Sequence, residues 1–393
     1  MLRGELVAKL RARGTIRTDA VAAAFESVPR QMFVPEADLE TAYGNESVVT
    51  KHDERGAAIS SVSAPWLQAT MLEQTELLPG MRVLEVGSGG YNAALIAEIV
   101  GSSGEVVTVD IDAEVAERTR HFLAQGGYER VTVVHDDAGV GVPDRAPFDR
   151  VIVTAGVWDI PPAWIEQLTA RGRLVVPLRM RGLTRSVAFD RHGECLRSVG
   201  HTMCGFVPIQ GASAHADQYV PLRGEQVGLR IDDHGPSVIG EALRAALHQP
   251  RVEVWSGVRF GGAEPFDGLY LWLASHLPTL ALLTRKRTDT ARRLVDPSSP
   301  SGTPTLLDAG GFAYHTFRQT DPNADIYEFG AYAHGSDAAK LAERVVEQIR
   351  GWDRHDRPTT PTITVDPVDT PDERLPPGHV TEKHHTKVTI SWA

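Results

Sequence analysis

From residue 82 onward the chain alternates short apolar runs with amphipathic stretches. RVLEVG (82–87), EVVTVDID (105–112), VTVVHDD (131–137), FDRVIVTAG (148–156) and RLVVPL (173–178) are apolar runs of strand length, rich in Val. Between them, NAALIAEIVG (92–101), AEVAERTRHFLAQGG (113–127) and PAWIEQLTARG (162–172) read as helices. Strands alternating with helices of this length predict βαβ units, hence an α/β protein with a mostly parallel, doubly wound sheet. Ahead of this region, Leu6, Leu10, Val21 and Phe25 predict helix over 2–28, stopped at Pro29. VPRQMFVPE (28–36) reads as loop, 40–65 as a polar Gly/Ser-rich stretch, and 66–78 as a helix ended by Pro79-Gly80. After Arg179, SVAFDR and CLRSVG predict antiparallel strands.

The pattern changes near Gly211. Beyond it the chain predicts a helix at about 238–248, a strand over 252–260, an apolar helical stretch over 267–284 and a long amphipathic helix from an N-cap at Ser336 to Gly351. The Pro, Asp and Thr content of 355–380 reads as a linker or tail, and KVTISWA as a last strand. The expected organisation is a catalytic α/β domain over 1–211 and an α+β extension over 212–393 that recognises substrate.

Charge and composition narrow the functions. A net charge of −11 argues against nucleic acid, which needs clustered Lys and Arg. No apolar run is long enough to cross a bilayer, and MLRGELVAKLRARG lacks the apolar core of a signal peptide. Cys195 and Cys204 lack metal or redox spacing, so no metal site is expected and a reduced, cytoplasmic setting is. His384-His385 and Arg285-Lys286-Arg287 read as solvated surface, and Trp158 and Trp164 as core aromatics.

The chemistry starts at VLEVGSGGYNAAL. Gly87, Gly89 and Gly90 lie between an apolar strand and a helix, where they let the main chain turn and approach a ligand. Glu85 precedes them; beside it a pyrophosphate would be repelled, whereas a sulfonium with an ammonium group would not. Asp110 ends the next strand, where a carboxylate can accept both hydroxyls of a ribose. Asp136-Asp137 ends the third and can place an acceptor beside an adenine amine. One such Asp is more often a solvated strand end; three acidic ends in register with the glycines mark a nucleoside site.

Further boxes occur in order around this loop. VPRQMFVP (28–35) resembles a VPR-x-x-FVP box and SAPWLQATMLE (63–73) an S-x-P-x-x-x-A-x-M/L-x-E box. DDAGVGVPDRAPFDRVIVTAG resembles GDG-x-x-G-x-P-x-x-APFD-x-I-V-T-A-A, and GFVPIQG (205–211) resembles FVPL-x-G. Together these resemble the protein-L-isoaspartate O-methyltransferase family over about 210 residues. The resemblance implies a Rossmann-like class I methyltransferase fold and S-adenosyl-L-methionine as cofactor, with Ser88, Asn92, Ile111, Ala138 and Thr154 completing the cofactor set. It also implies Ser63 as the residue that holds the acceptor carboxylate, with Val62, Phe206 and Val207 beside the substrate. The competing reading of Ser63 is a helix N-cap, since Pro65 follows.

The departures are a glycine loop one residue shorter, Asp136 and Ala138 in place of the GDG glycines, Val142 in place of an aromatic, Gly156 and Trp158 in the T-A-A segment, and the long extension. The longer form resembles homologues attached to ribosomally made peptide clusters such as lanthipeptides. That resemblance implies methylation of an Asp side chain in a modified precursor peptide, followed by aspartimide formation. The alternatives are isoaspartyl-peptide repair and a non-catalytic peptide-binding module.

Overall fold

The computed structural model describes residues 2–232, 240–321 and 323–392. The predicted N-terminal helix is two: α1 (Leu2–Ala12) and α2 (Asp19–Ser27). Gly14, at φ +69°, turns the chain between them, and the Thr18 side chain caps α2 by accepting from the Val21 N–H. The polar stretch that follows folds into α3 (Leu39–Ala42) and a hairpin of β1 (Val48–His52) and β2 (Ala58–Val62).

Then come α4 (Pro65–Thr75), β3 (Arg82–Val86), α5 (Tyr91–Val100), β4 (Glu105–Asp110), α6 (Ala113–Gln125), β5 (Thr132–His135), β6 (Phe148–Val153), α7 (Pro162–Glu166), β7 (Leu168–Met180), β8 (Leu183–His192) and β9 (Cys195–Met203). β5, β4, β3, β6 and β7 are parallel neighbours, and β8 and β9 continue the sheet antiparallel. The helix predicted over 162–172 stops at Glu166 because Leu168 onward pairs with β6, Leu168 lying opposite Phe148.

The extension adds β10 (Gln218–Arg223), β11 (Val227–Ile231), α8 (Gly240–Leu247), β12 (Val252–Gly261), α9 (Asp267–His276), β13 (Leu280–Arg285), α10 (Asp289–Leu294), β14 (Thr303–Asp308), β15 (Gly311–Asp321), β16 (Ile326–Gly335) and α11 (Ala338–Arg354). Its sheet has seven antiparallel strands in the order β10-β11-β13-β14-β15-β16-β12. The apolar stretch 267–284 is therefore half helix and half strand. Pro278 ends the helix, and Leu280–Leu283 is buried in mid-sheet, where apolar runs carry no distinguishing period. The helix after Ser336 has Asp337, not Ser336, in the N-cap position, without a side-chain capping bond.

The last segment corrects the expected domain boundary. β17 (Thr362–Pro367), β18 (His379–Glu382) and β19 (Thr386–Ser391) join the catalytic sheet, which becomes ten-stranded in the order β18-β19-β17-β9-β8-β7-β6-β3-β4-β5. The stretch read as a tail thus carries β17 and the start of β18. Ile363, Val365, Val388 and Ile390 are buried in the same apolar cluster as Trp164 and Phe189 of the catalytic part and Leu269, Phe329, Val345 and Trp352 of the extension. One continuous core ties the extension to the catalytic domain. At about 25 cal/mol per Å² of apolar burial, such a core holds the two parts as one unit.

Candidate active site

The cleft lies at the carboxyl ends of β3, β4 and β6, where a doubly wound sheet binds its ligand. Gly87, Ser88, Gly89, Asp110, Ile111, Ala138 and Thr154 line one wall, and Ser60, Ser61, Val207 and Pro208 stand across from them.

The loop's glycines are required by geometry. Gly87 sits at φ +89°, and a Cβ there would come within 2.7 Å of the Thr154 Oγ1. That hydroxyl is in turn bonded to the Val86 and Gly87 carbonyls, at 3.1 and 3.0 Å, so it ties the end of β6 to the loop. Gly90 sits at φ +75°, and a Cβ would come within 2.9 Å of the Phe33 ring. The shortened loop is therefore packed directly on the FVP box.

Asp110 holds the loop from the other side. Its carboxylate accepts the Ser88 N–H at 2.8 Å and the Asp112 N–H at 2.9 Å. Burial pushes its pKa up from the usual carboxylate range.

Several expected contacts are not in the cleft wall. Glu85 is fully buried beneath the loop, accepting from Asn92 Nδ2 at 2.8 Å and Thr108 Oγ1 at 2.6 Å. Both Glu85 and Asn92 therefore brace the strand-to-helix turn and do not face the cleft. Burial raises the Glu85 pKa to about 7. Asp136 is exposed and accepts its neighbour's Asp137 N–H. Asp137 is occupied by the Gly139 N–H at 2.8 Å and the Ala212 N–H at 2.7 Å. It thus pins the segment after GFVPIQG to the end of β5. Of the triplet Asp136-Asp137-Ala138, only Ala138 lines the cleft. Phe206 turns toward the N-terminal core, while Val207 lines the cleft.

Ser63 does not cap α4. The N-cap position is Ala64, with no side-chain bond, and the Asn45 side chain accepts the Trp66 N–H at 3.1 Å in its place. Val62 lies against the glycine loop, its Cγ2 3.6 Å from a Cβ placed on Gly89, but neither Val62 nor Ser63 lines the cleft itself. The segment before α4 thus meets the cofactor loop directly. Ser60 and Ser61, within the stretch read as polar and Gly/Ser-rich, belong to β2 and line the cleft.

Sequence reasoning missed Arg30. It is fully buried, and the described residues give it no carboxylate partner. It donates to the carbonyls of Ala42 at 2.8 Å and Val62 at 3.3 Å and to Gln68 Oε1 at 2.8 Å, and stands 5.1 Å from the Tyr91 ring centroid. One guanidinium therefore links α3, the residue before Ser63, α4 and the first residue of α5. Burial lowers its pKa to about 10, so it stays charged at neutral pH. Only its place in the VPR box pointed to it; nothing in the residue type does.

His215, Asp217 and Asp232 cluster elsewhere. Arg179 pairs with Asp232 at 2.5 Å and Asp217 at 2.7 Å, and Arg230 with Asp217 at 3.6 Å. Two guanidinium groups already neutralise these carboxylates, so the cluster is an ion-pair network at the base of the extension and not a cation site.

The family model for protein-L-isoaspartate(D-aspartate) O-methyltransferase (PCMT) matches residues 2–214. The chain belongs to this family. It is similar to the protein-L-isoaspartate O-methyltransferase of Hyperthermus butylicus, 40% identical over 220 residues that make up 53% of this chain and 88% of that protein. It is also similar to that of Methanococcoides burtonii, 38% identical over 209 residues, covering 52% and 98% respectively. A solved structure of a protein-L-isoaspartate O-methyltransferase superposes at a TM-score of 0.52 with 22% identity, covering 92% of this chain and 96% of that one. The overall architecture, extension included, therefore has a counterpart in a solved fold.

As a family member the chain is a carboxyl O-methyltransferase that uses S-adenosyl-L-methionine. The residues present fit that cofactor. Gly87, Gly89, Asp110, Ile111 and Ala138 all line the cleft; a carboxylate at Asp110 could accept from a diol with its remaining lone pairs, and Ile111 and Ala138 could flank a flat base. No helix is long and apolar enough to cross a membrane among the described residues.

Proposed function

We propose that this enzyme esterifies the free α-carboxylate of an isoaspartyl residue in a polypeptide, in the cleft between the glycine loop and the segments Ser60-Ser61 and Val207-Pro208, with Ser63 just past the end of β2. The observation that carries the reading is the Ser63 segment itself. It packs on Gly89, and its hydroxyl is not spent on capping α4, a task that Asn45 performs. The relatives that span nearly their whole length on this chain are protein-L-isoaspartate methyltransferases, which supports the same acceptor.

The cofactor supplies a methyl group on a sulfonium. A carboxylate is already ionised near neutral pH, so no general base is needed. Ser63 donates one hydrogen bond that orients the acceptor oxygen without adding charge. Thr154 and Asp110 hold the loop rigid, and the apolar residues Val207 and Pro208 keep water from the opposite wall. Arg30 holds the Val62 carbonyl and so the register of Ser63.

A second reading is methylation of an ordinary Asp in a modified precursor peptide, leading to aspartimide. What favours it is Trp158, which follows the strand end at Thr154 and stacks on His215 of the crossover into the extension, with ring centroids 4.0 Å apart. This pair, with His384 and His385, lines a cavity beside the cleft. The extension alone does not favour it, because a solved isoaspartate methyltransferase covers the same length. The test of the site is Ser63→Ala. Turnover should fall at least about tenfold with cofactor affinity unchanged; unaltered turnover removes Ser63 from the reaction.

A further inference from the structure

β9 is an interior strand for only part of its length. It pairs with β8 from Cys195 opposite His192 to Met203 opposite Arg185. On its other side it meets β17 only at Leu196 and Arg197, and the next N–H of β17, from Ile363, goes to the Ser198 hydroxyl. From Val199 to Met203, no strand among the described residues flanks that side, and no main-chain bond crosses it. Proteins usually guard such an edge with charges or proline. Here the sequence is Val199-Gly200-His201-Thr202-Met203, with Val199 54% and Met203 51% exposed.

The edge also leads somewhere. Val199–Thr202 wall a cavity shared with Trp66 and Thr70 of α4 and the turn at Arg13–Arg17. Met203 runs directly into Cys204–Val207, and Val207 lines the cofactor cleft. Trp66 stands in the first turn of α4, just after Ser63. Both segments assigned above to the acceptor therefore bound this edge.

We propose that Val199–Met203 is a docking edge on which the substrate polypeptide adds as an extended strand, its main chain bonded to β9 and its acceptor residue delivered past Met203 to Ser63. The inference rests on the acceptor reading above. Main-chain pairing recognises an extended backbone whatever its side chains, which suits an acceptor that occurs in varied sequence. Alternate side chains of the added strand would face opposite sides of the sheet, one set entering the Trp66 cavity.

The experiment compares three isoaspartyl substrates with the full-length enzyme: a capped dipeptide too short to pair, a heptapeptide, and that heptapeptide with N-methylated amides at alternate flanking residues. The heptapeptide should have a KM at least about tenfold below the dipeptide, and N-methylation in one of the two alternating sets should remove that gain with kcat unchanged. Val199→Lys/Met203→Lys should raise the heptapeptide KM and leave the dipeptide KM alone. Equal KM values for all three substrates would overturn strand addition while leaving the acceptor reading intact. A change of oligomeric state in the double variant, with KM unchanged, would assign the edge to a second copy of this chain and also overturn the proposal. Failure to methylate any of the three would end the acceptor reading and this inference with it.

Discussion

Glu85→Gln tests the finding that this carboxylate is a buried brace. Its folded pKa of about 7 lies above the ordinary value of 4.5, and burial is the largest cause. Between those values the native state binds more protons than the unfolded chain, so stability falls as pH rises through that window. The difference of about 2.5 units, at about 1.4 kcal/mol per unit, sets an upper figure of roughly 3.5 kcal/mol. Unfolding entropy of about 2.1 cal/mol/K per residue over 393 residues is about 0.8 kcal/mol/K, so the melting temperature should drop by about 4 °C between pH 5 and pH 8. The glutamine variant keeps one acceptor oxygen for Asn92 or Thr108 and carries no charge. Its melting temperature should lack this pH component, and at pH 8 it should equal or exceed that of the parent. Differential scanning calorimetry of both proteins across the range is the assay. The reasoning fails if the two show parallel pH profiles, or if the variant loses stability equally at both ends.

The other predictions concern the loop and its supports. Gly90→Ala should destabilise by about 1–3 kcal/mol or more and weaken cofactor binding, because its left-handed φ and the Phe33 ring both oppose a Cβ; a calorimetric melting temperature unchanged from the parent would refute the packing. Arg30→Lys should not restore what Arg30→Met loses, since an ammonium cannot reach three acceptors in different directions; both variants should lower kcat, and full activity in the lysine variant by steady-state kinetics would contradict the positioning role. Asp110→Asn should weaken S-adenosylmethionine binding by about 1–3 kcal/mol in isothermal titration, through the lost charge-assisted bonds.

How much was legible follows from the range of each interaction. The parallel sheet was readable because β3, β4 and β6 are Val-rich runs whose pairing is dictated by local βαβ order. The return of β17–β19 was not, since its partner strand β9 lies far back in the chain and polar Thr and Asp positions mask the buried Ile363 and Val365. The glycine loop was legible from residue type; the direction of Glu85 was not, because a strand-end carboxylate can turn to either side of the loop. At Asp137, a capping carboxylate and a ligand-binding one have the same residue type and the same place at a strand end. Arg30 stayed hidden because burial without a carboxylate partner is an arrangement that charge patterns do not announce.

The most direct test of the central claim is mass spectrometry of a matched pair of peptides, one with isoaspartate and one with normal aspartate at the same position, incubated with the enzyme and S-adenosylmethionine. The account predicts a methyl ester on the isoaspartyl peptide that decays with loss of methanol to the succinimide, and no ester on its twin. Esterification of the normal aspartyl peptide alone would contradict it and transfer the site to the precursor-tailoring reading.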